Sequence, residues 1–431
     1  MPETKLVERS VQTDSFHPEE PETLDEAGIS EAMLEALICK LLFSVGDETG
    51  RGIARSLGTP GKPTIELLAR LKNHQYVYYR DSASMGDFRY ALTEAGQERA
   101  RKYIDDCSYV GPCPVPLDYY IESVSRQTIA REKPVRSDLD AAFNDLLLNE
   151  DMLNRLGPAI NSGRGLFVYG APGNGKTSIA ERITDCFGTS IWVPHAIVVD
   201  GEIIKFYDPE NHQLVPDDTP ELFAEQKIDR RWIKIRRPTL VVGGELTMAA
   251  LELQHNVYTK ITEPSVQLKS NCGTLVIDDF GRQRMPPDEL LNRWIVPLEK
   301  RYDYLSLSNG KKIQVPFDQL IIFSTNLEPR DLVDDAFLRR IPYKIHVRDP
   351  SEQEYRHLMK MMAAKASMAV NEDAIDHLID THYKKKGRGF RCCHPRDLIA
   401  QIVDRAAFDK SIPAMTTQAF DHAADNYFAI F

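Results

Sequence analysis

Gly170-Ala171-Pro172-Gly173-Asn174-Gly175-Lys176-Thr177 matches the spacing G-x-x-x-x-G-K-[ST] at every fixed position. Ahead of it, Gly165-Leu166-Phe167-Val168-Tyr169 reads as a buried strand; behind it, Ser178-Ile179-Ala180-Glu181-Arg182-Ile183 reads as the start of a helix. Strand, glycine-rich loop and helix in that order form a phosphate-binding loop. The glycines let successive backbone N–H groups turn inward on phosphate oxygens, and the helix start adds its positive dipole end. Lys176 would neutralise the β- and γ-phosphates, Thr177 would offer its hydroxyl to Mg2+, and Gly170 to Ser178 as a whole would cradle the triphosphate.

Two further segments extend the site. Gly273-Thr274-Leu275-Val276-Ile277-Asp278-Asp279-Phe280 is an apolar run ending in two carboxylates, as expected for a buried parallel strand with its acids at the ligand-binding edge. Asp278 would hold magnesium, and Asp279 would polarise the attacking water. A purely structural role for the pair, capping a following helix, is the competing reading. The run Leu320-Ile321-Ile322-Phe323-Ser324-Thr325-Asn326 ends in an amide that could orient the same water.

Composition sets the frame for these motifs. The 431 residues suffice for two or three domains, 42% of them are hydrophobic, and the net charge is −11. Acidic residues crowd the first 27 positions, where Glu3, Glu8, Asp14, Glu19, Glu20, Glu22, Asp25 and Glu26 face only Lys5 and Arg9, so residues 1–27 are expected to form a disordered acidic tail. That segment lacks the basic and apolar regions of a signal peptide, and no apolar run reaches bilayer length. Seven cysteines without a C-x-x-C pair suggest neither a disulfide framework nor a zinc site, and the adjacent Cys392-Cys393-His394 suits tetrahedral zinc poorly. A cytoplasmic protein without membrane contact is the expectation.

Residues 28–110 read as three helices, a hairpin and a last helix. Met33, Leu34, Leu37, Ile38, Leu41 and Leu42 form a helical stripe, and Tyr76–Tyr79 and Phe88–Leu92 are strands around a polar turn. This order is that of a winged helix-turn-helix, and Tyr90-Ala91-Leu92-Thr93-Glu94-Ala95-Gly96 resembles the wing-to-helix junction of bacterial winged-helix regulators. Lys62, Arg70, Lys72 and Arg80 could meet DNA phosphates, but Glu66 and Asp81 sit among them; docking to a protein is the other reading. Residues 111–138, opening with Gly111-Pro112-Cys113-Pro114-Val115-Pro116, are expected to be a linker. Ala196–Phe206 has the pattern of a hairpin turning at Asp200-Gly201, and the charged Tyr207–Arg237 that of a surface insertion.

The combination from about Leu139 onward resembles the AAA+ ATPases, with Gly170–Thr177 as Walker A, Val276–Asp279 as Walker B and Asn326 as sensor 1. The family's acid pair is usually Asp-Glu, and the shorter Asp279 leaves room for slow hydrolysis. Asp334-Asp335-Ala336-Phe337-Leu338-Arg339-Arg340 resembles the segment that carries the arginine finger; Arg340 is favoured by position, with Arg339 beside it and surface pairing as the alternative for both. Gly389–Leu398 resembles the sensor 2 motif, with Arg396 facing the nucleotide and Arg391 and Arg388 as nearby substitutes. Asn309-Gly310 signals a type I′ hairpin just before sensor 1, similar to the branch that holds MoxR-type ATPases and enhancer-binding activators; a passive strand extension is the alternative.

The resemblance implies an α/β P-loop NTPase unit with a parallel sheet sandwiched by helices over residues 139–349, and a C-terminal helical lid over 350–431. It implies ATP and Mg2+ as ligands, hydrolysis of ATP, and a homo-oligomeric ring, a hexamer being the usual form. The implied work is ATP-driven remodelling of a protein partner. A DNA-binding regulator controlled by ATP and a slow nucleotide switch are the alternatives.

Overall fold

The computed structural model describes residues 16–188, 190–216 and 228–429. Its N-terminal unit is built from α1 (Glu31–Val45), β1 (Asp47–Thr49), α2 (Gly50–Leu57), α3 (Gly61–Asn73), β2 (Val77–Ser82), β3 (Phe88–Leu92) and α4 (Glu94–Asp106). Ser30, Thr49 and Thr93 cap α1, α2 and α4 by accepting backbone N–H groups, so each helix starts where the sequence supplies a hydroxyl. The three strands form an antiparallel sheet in the order β1-β3-β2.

The central unit is a five-stranded, wholly parallel sheet. Its strands are β4 (Leu166–Tyr169), which leads into α5 (Lys176–Arg182), then β5 (Thr239–Val242), β6 (Thr274–Ile277), β7 (Leu320–Thr325) and β8 (Tyr343–His346). They lie in the order β5-β6-β7-β4-β8. Alternation puts Leu166, Val168, Val276, Leu320 and Ile322 into one core, and Phe167, Leu275, Ile277, Ile321 and Phe323 into another on the opposite face. Continuous apolar runs are what a parallel sheet covered on both faces requires. Four helices follow: α6 (Glu352–Lys365), α7 (Glu372–Leu378), α8 (His394–Phe408) and α9 (Thr417–Tyr427), packed around a separate core that includes Tyr355, Leu378, Leu398 and Phe420. This is the α/β P-loop architecture with a helical C-terminal unit that the sequence implies.

Several local expectations change. Residues 1–15 lie outside the described residues, but 16–27 are structured: the Phe16 ring lies tilted against Trp232, Glu19 bridges to Ile228, and Leu24–Ala27 is a helical turn capped by Thr23. The apolar minority in an acidic stretch is enough to anchor it. The stiff 111–116 segment is packed rather than a free linker. Cys113 and Val115 are fully buried, the Cys113 N–H donates to the Leu57 carbonyl, and Val115–Pro116 pairs in parallel with Ala196–Val199.

The stretch read as a surface insertion is also tied in where it is described. Trp232–Arg236 pairs antiparallel with Ser190–Pro194, while residues 217–227 lie outside the described residues. The hairpin before β7 (Tyr302–Ser306 with Lys312–Pro316) does not stand clear of its own chain. Leu305, Leu307, Ile313 and Val315 enter a core shared with Ile197 and Ile204, and the Ser308 N–H and hydroxyl both donate to Glu202. Its turn is not type I′. The Gly310 N–H donates to the Leu307 carbonyl, and Gly310 has a positive φ of 81° whereas Asn309 does not, as in a type I turn over Leu307–Gly310 closed by a left-handed glycine.

Arg231 and Asp229 fasten the N-terminal unit to the rest. Their side chains are 2% and 3% exposed, Arg231 Nη2 lies 2.8 Å from Asp229 Oδ2, and Arg231 Nη1 donates to the Ala27 carbonyl at 2.6 Å. Removing one member strands a buried charge, so Arg231→Ala is expected to cost about 3–5 kcal/mol in urea unfolding. Replacing both by leucine should cost less than that single change. An unchanged urea midpoint for Arg231→Ala would contradict the role given to the pair.

Candidate active site

The phosphate loop leaves the carboxyl end of β4, at the place where that first strand lies between later ones, which is where open parallel sheets bind ligands. Gly173 and Gly175 take φ values of 82° and 80°, the left-handed region that favours glycine, and Gly175 immediately precedes α5. A side chain at Gly173 would also collide with the Cys393 sulfur.

Lys176, Thr177, Asp278, Asp279 and Asn326 form one connected set. Lys176 Nζ, on a buried residue, donates to the Gly170 and Ala171 carbonyls at 3.0 Å each and to Asn326 Oδ1 at 2.6 Å. Burial pulls the Lys176 pKa down from its usual value, and the nearby Asp278 and Asp279 carboxylates oppose that shift. The Thr177 hydroxyl donates to Asp278 Oδ2 at 2.9 Å, and Asn326 Nδ2 donates to Asp279 Oδ1 at 3.1 Å. Asp279 has φ +48°, a conformation that aspartate tolerates better than longer side chains, which gives a backbone reason for Asp rather than Glu here. The next helix begins only at Pro287, so the acid pair does not cap it.

A cleft of about 680 Å³ opens over these groups, in the size range of small-molecule sites. Pro172 to Ser178 form its floor with Asp278, Asp279 and Asn326; Leu146, Leu147, Leu148, Leu358, Met361 and Met362 form an apolar side; Arg396 closes it from α8. Arg396 is exposed and, among the described residues, pairs with its neighbour Asp397. The two candidate substitutes are committed elsewhere: Arg391 pairs with Asp349, and Arg388 lies 3.5 Å over the Phe428 ring and donates to the His382 carbonyl. Arg339 and Arg340 do not line this cleft. Arg340 pairs with Glu299 at 2.7 Å, whereas Arg339 is exposed and has no ion-pair partner among the described residues.

Sequence reasoning missed how the loop meets the lid. The Asn174 side chain, expected only to line phosphate, donates to Asp349 Oδ1 at 2.8 Å and accepts from the Cys392 N–H at 3.2 Å. The Cys393 N–H donates to the Gly173 carbonyl at 2.8 Å. Asp349 stands just before α6, so one carboxylate bridges Asn174 and Arg391 at the junction between sheet and lid. The Leu146-Leu147-Leu148 run exceeds what one helical stripe needs, and that surplus was a sequence signal for an apolar wall.

A family model described as "Domain of unknown function (DUF8689)" matches residues 351–426. "Uncharacterized protein ORF529" of Acidianus two-tailed virus is 22% identical over 317 residues, 71% of this chain and 46% of that protein, so the chain spans just under half the length of this relative. Among solved structures, RuvB of Thermotoga maritima, described as a Holliday junction branch migration motor, is 13% identical with a TM-score of 0.37, covering 69% of this chain and 73% of its own. NtrX from Brucella abortus in complex with ADP is 15% identical with a TM-score of 0.40, covering 66% of this chain and 56% of its own. No helix among the described residues is long and apolar enough to cross a membrane.

The lid beside the cleft carries a pH-sensitive contact. Tyr355 donates to Tyr383, and the Tyr383 hydroxyl lies 2.9 Å from His394 Nδ1, all on buried residues. Burial, with Arg391 and Arg388 nearby, lowers the His394 pKa to about 4. Below the unfolded value near 6.5 the unfolded chain takes a proton that the folded chain refuses, so this contribution to stability is lost as pH falls from about 6.5 towards about 4. His394→Gln should flatten that part of a Tm-against-pH curve; an unchanged slope would contradict it.

Proposed function

We propose that this chain binds ATP with Mg2+ in the cleft between the sheet edge and the helical lid, hydrolyses it, and uses the cycle to remodel a protein partner as a homo-oligomeric ring. The observation that carries the ATPase reading is the contact of Lys176 with Asn326, and of Thr177 with Asp278, across segments far apart in the chain. Phosphoryl transfer needs positioning and charge neutralisation more than covalent participation, and this set offers both.

In that reading, Lys176 exchanges its contacts with the Gly170 and Ala171 carbonyls for phosphate oxygens. Thr177 and Asp278 are paired hard oxygen donors, the donor chemistry that Mg2+ prefers. The ion would supply positive charge to the β- and γ-phosphates. Asp279, steadied by Asn326, takes the proton of the attacking water, and Arg396 neutralises phosphate charge from the lid. The leucine and methionine wall receives the adenine.

A finger must then come from a neighbouring copy, because Arg339 and Arg340 lie away from their own cleft. Arg339 is the better placed, since Arg340 is paired with Glu299. For the N-terminal unit, read as a winged helix, docking to a protein is supported over DNA. Arg70 pairs with Glu31, and Arg80 and Arg89 share the single carboxylate of Asp47, so two carboxylates offset part of the basic charge, while Lys72, 3.8 Å over the Tyr79 ring, keeps its own.

Phosphate release tests this directly. Lys176→Ala should abolish nucleotide binding, and Asp279→Ala should keep binding while lowering turnover about 10²–10⁴-fold. Arg339→Ala should reduce turnover about 10³-fold or more, and mixing it with Lys176→Ala should restore part of the activity through shared sites. Normal turnover by Lys176→Ala would sink the ATPase reading; absence of complementation would sink the shared site. Salt-sensitive duplex DNA binding lost on Arg70→Ala would favour the regulator instead.

A further inference from the structure

His377 and His382 are five residues apart, which on an ordinary α-helix leaves their side chains about 140° apart around the axis. The chain does not continue as an α-helix there. After α7 it passes into a π-helical turn over Ile379–Lys384, whose i→i+5 winding brings residues five apart back towards one face. Both imidazoles consequently reach the same carboxylate on α9: Asp421 Oδ1 lies 2.8 Å from His377 Nε2 and 2.7 Å from His382 Nε2. One potential ligand atom from each of the three side chains lies within 4.8 Å of the others.

We propose that His377, His382 and Asp421 form a binding site for a divalent transition-metal ion, Zn2+ or a close analogue, that clamps α7 and its π-turn to α9. Two imidazole nitrogens and one carboxylate are the donor set of three-ligand zinc centres, which keep a remaining position for water. With metal–ligand bonds near 2.0–2.2 Å, neighbouring donors stand about 3.3 Å apart, so the two histidine–carboxylate contacts need to open by about half an ångström, while the two imidazole nitrogens, within 4.8 Å of one another, must take up the same spacing. His382 is buried, whereas His377 and Asp421 are one-third or more exposed at the side chain (33% and 41%), leaving an entry path.

This site is separate from the nucleotide cleft, whose lining contains none of the three residues. It nevertheless shares α9 with a contact to the phosphate loop. The Tyr427 hydroxyl donates to Asp397 at 2.9 Å and lies 3.7 Å from the Cys393 sulfur, next to the Cys393 N–H that holds Gly173. A metal clamp would stiffen the helix on which that contact depends.

The test is Co2+ and Zn2+ binding to the full-length, nucleotide-free protein, followed by calorimetry and by the visible Co2+ spectrum. One equivalent should bind wild type and the Asp278→Asn variant alike. Asp421→Asn and His382→Gln should each weaken binding by at least about tenfold, with His377→Gln as a third variant at the more exposed ligand. At one metal concentration, metal should raise the Tm of wild type more than that of any of the three variants. No binding, binding unaffected by all three variants, binding lost in Asp278→Asn, or a thiolate-to-cobalt charge-transfer band pointing to cysteine ligands would each overturn the proposal.

Discussion

A buried ammonium group at the carboxyl edge of a parallel sheet is the constraint around which this molecule is arranged. Lys176 is withdrawn from water and held by two carbonyls of its own loop and by Asn326. Such a charge is costly to bury without partners. Its position is set by the curled glycine loop, by β4 from which the loop springs, and by β7, which ends just before Asn326. β6 adjoins β7 and delivers Asp278 and Asp279 to the same edge. Moving any of these strands by one residue would turn the relevant side chain to the other face.

The second constraint is the fastening of the lid to the loop. Asn174, Asp349, Arg391 and the Cys392 and Cys393 N–H groups make a polar seam in which lid N–H groups donate to the Asn174 side chain and the Gly173 carbonyl. Occupancy of the loop and position of the lid are therefore physically linked. A ligand that turns Gly173 or Asn174 inward must compete with contacts to the lid, a local exchange able to bias a hinge.

The sequence made the sheet edge legible because each of its parts is local. A glycine run after an apolar strand, two acids after another and an amide after a third can all be recognised without knowing what they touch. What stayed hidden depends on partners far away. Nothing near Arg231 announces that it will be buried against Asp229 and reach Ala27, and nothing near Asn174 announces Asp349. The hairpin before β7 shows the same limit. Its alternating Leu305, Leu307, Ile313 and Val315 mark an apolar face, but only the fold shows that face covered by Ile197 and Ile204. Asn309-Gly310 suggested one turn and formed another, because Ser308 is bound to Glu202 and Asn309 keeps a negative φ. The juxtaposition of His377 and His382 was equally invisible, since it depends on a π-turn that ordinary helical spacing would not suggest.

Calorimetric titration of the purified chain with ATP, with and without Mg2+, tests the central claim most directly. The account predicts one site per chain, tighter with Mg2+ than without, because Thr177 and Asp278 present paired oxygen donors beside Lys176. Absence of ATP binding under both conditions would contradict it.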